Sequence, residues 1–382
     1  MPATRHHTRS LWRLLLPLLL LLLYLSGGCS RLREQLEFWV ERTFTEASPR
    51  EAFLRSRPFD SATLARWDSA YQRVFRDTLR IELPHREVFR ATGDPGLSAH
   101  ALHLRLPPGR RLTVRTEGGI PFGELFRMPP AEEPHWLAGW DTLSGYLSYE
   151  TAGPAAEDLL LVVQSLPKAT EPFTLTLESE PALLFPVAGR DADNIGSFWG
   201  DRRDGGRRRH EGNDIFAPRG TPVVAAAKGR VARVQDGGLG GKTIWLRDRD
   251  RRLNYYYAHL DTQLVRRGQR VSRGDTIARV GNTGNARTTP PHLHFGIYGN
   301  GAYDPFPYLG PSDASPADPR RLPGTVTEVP RRGTHYLRLT PSRNGTVIRQ
   351  LDGGESITEV ATTGAFHRVV TVAGETGYVN FD

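Results

Sequence analysis

Two periodicities divide the chain. In "DSATLARWDSAYQRVF", Leu64, Trp67, Tyr71, Val74 and Phe75 recur every three or four residues, the stripe of an amphipathic helix. Just upstream, "SPREAFL" offers Ser48 as a cap, Pro49 at the first helical position and Glu51 three residues after the cap. Residues 29–77 therefore read as a helical segment, its aromatic residues serving as packing. From about Thr78 the period shortens to two. "ALHLRL" alternates Leu102, Leu104 and Leu106 with His103 and Arg105, and "EPFTLTLES" alternates Phe173, Leu175 and Leu177. "DLLLVVQSL" is apolar throughout, as a strand buried on both faces would be. Short strands between Gly and Pro turns predict an antiparallel, sandwich-like domain over 78–185. His85, His100, His103 and His135 have no mutual spacing that suggests a metal, and are expected at its surface or rim.

Residues 186–310 are also strand-rich. They are followed by "GPSDASPADPRRLPG", which opens a linker over 311–332. Residues 333–382 hold several short strands broken by "RNG", "DGG", "TTG" and "AGETG", a pattern that suits a small barrel. The fold class expected is therefore mainly β, with a helical segment in front.

Composition changes this picture at the N-terminus. The chain has 382 residues, a formal charge of +8 and one cysteine. Arg5, Arg9 and Arg13 precede "LLLPLLLLLLYL", and small residues "SGG" then lead to Cys29. This is a secretory signal over residues 1–28. Its apolar run is shorter than the ~20 residues a membrane span needs. A lone exported cysteine has no disulfide partner. Cys29 stands where a bacterial lipoprotein signal places its lipidated residue; the resemblance is to the lipobox, with Ser26 where that pattern prefers leucine. It implies a membrane anchor at Cys29 and a place in the bacterial cell envelope, at the outer membrane or the periplasmic face. The basic excess favours anionic partners. No base-reading motif or basic stripe interleaved with aromatics points to nucleic acid.

Candidate chemistry lies within residues 186–309. In "PPHLHFGIY", His292 and His294 are two apart, so on a strand both imidazoles face one side while Leu293 and Phe295 face the other. In "HEGNDIFAPRG", His210 and Asp214 are four apart, but Gly212 and the following turn residues argue against a helix. In an extended segment His210, Gly212 and Asp214 share a face, and the glycine would leave room for an ion near the backbone. Asp214 occupies the place of the second histidine of the zincin motif. Two histidines and a carboxylate with one open position form a catalytic zinc pattern. The ligand candidates are His210, Asp214 and one of the 292/294 pair. His259, in "YYYAHLD", and the other member of the pair remain for proton transfer.

The pieces "HEGND", "APRGTPVVAAAKGRV", "YAHLD", "GQRV", "GNTGNA" and "HLHF" occur in an order and spacing that closely resembles the lysostaphin/LytM-type zinc metallopeptidases. The resemblance spans residues 196–308. It implies a compact antiparallel sheet with a groove over one Zn2+ ion, ligands His210, Asp214 and His294, and catalytic histidines His259 and His292. It implies peptidoglycan as substrate and names no protein partner. "TTPPHLHF" departs from the family's usual single proline, but no ligand or catalytic position is lost. "LRLTPS" and "GETGYVNFD" resemble the bacterial SH3-like domain, which implies wall targeting for 333–382. The function expected is a lipid-anchored zinc endopeptidase cutting peptide bonds in cross-links or stems. Its rivals are a non-catalytic activator of another wall hydrolase and a non-haem iron oxygenase, which uses the same donor types. The arginine-rich "GDRRDGGRRRHEG" could clamp carboxylates of peptide stems.

Overall fold

A computed structural model describes residues 48–130, 132–151, 153–316, 318, 324 and 326–381. The expected signal sequence and lipidated Cys29 lie outside the described residues. The chain divides into two compact units, residues 1–64 and 65–382. Helix Pro49–Ser56 opens with the expected capping box: the Glu51 amide donates to Ser48 Oγ, and the Ser48 amide donates to Glu51 Oε2, both at 3.2 Å. Helix Ser61–Val74 follows. In its later turns Trp67 is fully buried and its indole N–H donates to the Ser165 carbonyl at 2.7 Å, while the Tyr71 hydroxyl donates to Glu124.

The rest is mainly antiparallel β-structure. One four-stranded sheet orders Ala99–Leu106, Glu157–Gln164, Phe122–Arg127 and His135–Trp140. It faces the strands His85–Phe89, Phe173–Pro181, Arg110–Gly118 and Tyr146–Glu150 across a core of Leu102, Leu104, Leu161, Leu112, Phe173 and Leu175. The period-two alternation places these leucines inward, as expected. Two histidines differ from the sequence reading. His85 and His100 are buried, not at the rim. The His85 ring lies 3.0 Å from Glu87 Oε2, and His100 packs on the Phe89 ring at 4.8 Å.

The small barrel expected for 333–382 does not close among the described residues. Its strands run Val347–Leu351, His335–Arg338, Thr376–Val379, Phe366–Thr371 and Ile357–Thr363, and the last pairs onward with His85–Phe89. The edge that would close a barrel is thus spent on the sandwich. Arg368 anchors the junction. It is fully buried, ion-paired with Glu87 at 2.9 Å, donates to the Ala101 carbonyl at 3.2 Å and contacts the Tyr378 hydroxyl.

The third sheet orders Arg270–Val271, Gly229–Gln235, Lys242–Asp248, Leu253–Gln263, His292–Tyr298, Asn213–Phe216 and Ile195–Ser197. Its inner face buries Ile215, Ile244, Leu246, Tyr255, Tyr257, Leu293, Phe295 and Ile297. Its outer face carries the histidines.

Candidate metal centre

Register brings the distant motifs together. Asp214 is the cross-strand partner of His294, and His294 is in turn the partner of Ala258. His210 lies outside any helix, just past the Arg208–Arg209 strand, and a bend at Gly212 separates it from the Asn213–Phe216 strand. Gly212 is needed for a different reason from the one the sequence suggested. A Cβ there would lie 2.6 Å from the Phe295 carbonyl and 2.7 Å from the His294 ring, so the glycine admits the neighbouring strand and ring rather than an ion.

Three donor atoms converge. His210 Nε2 lies 3.1 Å from Asp214 Oδ1 and 2.9 Å from His294 Nδ1, and His294 Nδ1 lies 3.0 Å from Asp214 Oδ1. A tetrahedral ion with bonds of about 2.0–2.1 Å holds its ligand atoms roughly 3.3 Å apart. The triangle is therefore close to the size one such ion needs, and two imidazoles with one carboxylate are the donor types zinc takes. The His210 Nδ1–H donates to the Phe198 carbonyl at 2.9 Å; a carbonyl only accepts, so Nε2 of the neutral ring carries the lone pair. Burial alone would raise the Asp214 pKa. The imidazoles of His210 and His294 beside it outweigh that effect and hold the carboxyl far below its ordinary range. Burial pushes the His294 pKa down, against the pull of Asp214.

His292 and His259 stand beside the triangle. His292 Nδ1–H donates to the Pro290 carbonyl at 2.8 Å, leaving its Nε2 4.0 Å from Asp214 Oδ1. The first of the two prolines thus supplies the acceptor that orients this ring. His259 Nδ1–H donates to the Thr283 carbonyl at 2.9 Å, and its ring centroid is 5.1 Å from that of His292. Strict alternation would turn His259 inward, beside buried Tyr257. A register shift and a left-handed backbone, φ 60°, re-aim it outward. Burial, with the neighbouring histidines, lowers its pKa to about 4. Its ring is accordingly neutral near pH 7 and able to accept a proton.

All five predicted residues line one groove of about 720 Å³, walled by the arginine hairpin, Leu239, Tyr256, Ala286 and Tyr298. Sequence reasoning missed the role of Arg203. Its guanidinium donates to Asp214 Oδ2 at 2.8 Å and to Ser197 Oγ at 2.6 Å. The expected use of the arginine run was to grip substrate carboxylates; in Arg203, Nη2 instead holds Asp214 and Ser197. The carbonyls of Phe198, Thr283 and Pro290 were equally invisible, because an acceptor on the main chain leaves no mark on residue type.

Residues 208–305 match the sequence model of peptidase family M23. Over 138 residues the chain is 40% identical to the L-Ala–D-Glu endopeptidase of Bacillus subtilis (strain 168), covering 33% of this chain and 42% of that protein. Over 127 residues it is 37% identical to the murein hydrolase activator NlpD of Salmonella typhimurium, covering 33% of this chain and 30% of that one. Among solved structures, the catalytic domain of the antimicrobial peptidase lysostaphin from Staphylococcus simulans is 33% identical, with 31% of this chain and 93% of that one covered and a TM-score of 0.28. The chain spans less than half the length of the two curated relatives. The 208–305 segment, which is similar to peptidase family M23, contains the whole histidine–aspartate cluster.

Proposed function

We propose that the protein is a zinc-dependent endopeptidase that hydrolyses peptide bonds in peptidoglycan cross-links or stems. His210, Asp214 and His294 hold one zinc ion; His259 and His292 handle protons. The observation that supports this best is the convergence of His210 Nε2, Asp214 Oδ1 and His294 Nδ1 within hydrogen-bonding distance of one another, with two further imidazoles beside them.

When bound, the ion supplies a Lewis acid and lowers the pKa of water toward neutrality. The chain's own residues do the rest. His259, neutral and fixed by Thr283, accepts a proton at Nε2 from the attacking water. His292, fixed by Pro290, presents its Nε2 lone pair to the groove, where it orients the attacking water, and the proton held on His259 is then given to the leaving amine. Cys29 carries a lipid that holds the enzyme at the envelope, and residues 333–382 bind the wall, raising the local concentration of substrate.

Purified protein supplied with zinc and incubated with sacculi tests this reading. Peptide fragments identified by mass should appear, and should cease with a chelator. His292→Ala and His259→Ala should each slow release by roughly 10²–10⁴-fold while zinc content stays; His210→Ala, Asp214→Ala or His294→Ala should lose the metal. No fragments from the wild type would sink the proposal. Similarity to an activator supports a second reading, in which the chain stimulates another hydrolase. The complete donor set counts against it, and stimulation of a separate hydrolase without intrinsic release would establish it. Iron on metal analysis with oxygen-dependent turnover would point to the oxygenase rival.

A further inference from the structure

The outer face of the third sheet continues well past the metal centre. Residues aligned across adjacent strands form two rows on the face that carries His292 and His294. In one, Tyr298, Asn254, Arg247, Arg230 and Arg270 are successive register partners over five strands. In the other, Gly296, Tyr256, Trp245 and Arg233 follow one another over four. At about 4.8 Å between strands, the five-strand row spans about 19 Å.

Nearest the metal centre the rows are aromatic. The Tyr256 ring lies 5.8 Å from that of His294 and 4.5 Å from that of Trp245, which lies 5.1 Å from Tyr298. All three rings are half-buried, forming a platform with one side open. Farther out the rows are cationic. Arg247, Arg230 and Arg270 sit directly opposite one another and are exposed. Like charges in that relation destabilise a sheet. Among the described residues the side chains of Arg247 and Arg270 have no ion pair or hydrogen bond, and that of Arg230 donates only to the Gly268 carbonyl. The nearby acids are engaged: Asp248 with Arg251 and Tyr255, Asp250 with Lys228, and Asp275 with the Ser272 amide. A basin of about 440 Å³ opens among these arginines.

We propose that this face is a second binding site, a track for an anionic, peptide-bearing glycan strand. A sugar ring stacks on the Tyr256–Trp245–Tyr298 platform, and stem carboxylates pair with Arg247, Arg230 and Arg270, whose planar forks suit carboxylates. Charge complementarity and continuity with the groove favour this occupant; an aromatic platform beside the row favours a saccharide over a lipid headgroup. The track rests on the peptidoglycan reading, since it binds the polymer whose peptide enters the groove.

The test pairs a binding assay with a cleavage assay on the full chain. Cosedimentation with insoluble sacculi is measured for the wild type, for Arg230→Gln/Arg247→Gln and for Trp245→Ala, alongside cleavage of a small soluble stem peptide. The arginine variant should weaken sacculus binding about tenfold or more, with a shallower salt dependence; Trp245→Ala should weaken binding with the salt dependence kept. Peptide cleavage should be unchanged in both. Unaltered sacculus binding overturns the track, as does a loss of binding seen only when phosphatidylglycerol vesicles replace the sacculi in the same assay, which would make the face a membrane contact. If the wild type cleaves nothing yet the variants lose sacculus binding, the track stands and the peptidase reading falls.

Discussion

Arg203 and Asp214 show how much a single side chain adds to a donor set. Asp214 turns Oδ1 to the two histidines and Oδ2 to Arg203, so the carboxylate offers one oxygen inward and keeps the other occupied. A partner of this kind fixes a ligand's orientation, and its removal typically weakens metal affinity by about 10–100-fold. Arg203→Met should weaken zinc binding by that order in a competition titration, with Arg203→Lys recovering part of it. Unchanged affinity in Arg203→Met would show that Asp214 needs no such support. The five histidine and aspartate positions were legible from residue type and spacing. Arg203 was not, because nothing in "DRRDGGRRR" separates the arginine that meets Asp214 from its neighbours; the hairpin register of Arg202–Arg203 with Arg208–Arg209 does so.

Strands were legible where one face is apolar, and less so where a strand is bent or shared. The alternation of Leu102, Leu104 and Leu106 located a core strand directly. The closing strands of the C-terminal segment read as a barrel because their turns and lengths suit one, yet Ile357–Thr363 pairs with His85–Phe89. Sequence proximity could not reveal that partner, some 270 residues away. Arg368 and Glu87 hold the junction without solvent, and removing one member of such a pair typically costs about 3–5 kcal/mol. Arg368→Met should lower stability to chemical denaturation by about that amount, with loss of a single cooperative transition if the two sheets then unfold separately. His100, beside this pair, has its pKa lowered to about 3 by burial and by Arg368. Its folded-state pKa lies below the unfolded value of about 6.5, so the unfolded chain takes the proton first. Stability is complete above about pH 6.5 and should fall as pH drops toward 3, by up to about 1.4 kcal/mol per pH unit. Replacing His100 with Asn should flatten melting temperature against pH between 4.5 and 6.5; an unchanged slope would assign that loss to other groups.

Within the larger unit, the sandwich and the histidine-bearing sheet pack closely. Gly109, φ 68°, lies under the Tyr308 ring, and a Cβ there would come within 2.3 Å of it. Arg251 pairs with Glu150 across the same boundary, and Asp313 accepts from Arg110 at 3.0 Å, so the first residues of the expected linker are bound to the sandwich. Gly109→Ala should destabilise by about 1–3 kcal/mol through overpacking and its left-handed backbone. Faster proteolysis near Tyr308 would accompany that loss, and an unchanged melting temperature would show the contact to be dispensable. The sequence by itself determined the mainly β class, the capped helix, the strand faces and the histidine–aspartate set that could hold a metal, because periodicity and residue type act locally. The tertiary structure decided which donors meet, through the register of Asp214 with His294. It decided that His259 faces the groove, through a bulge that alternation forbids. It decided that Arg203, Arg230, Arg247 and Arg270 have different surroundings although they are the same residue, because surroundings are set by strand neighbours that the linear order does not contain.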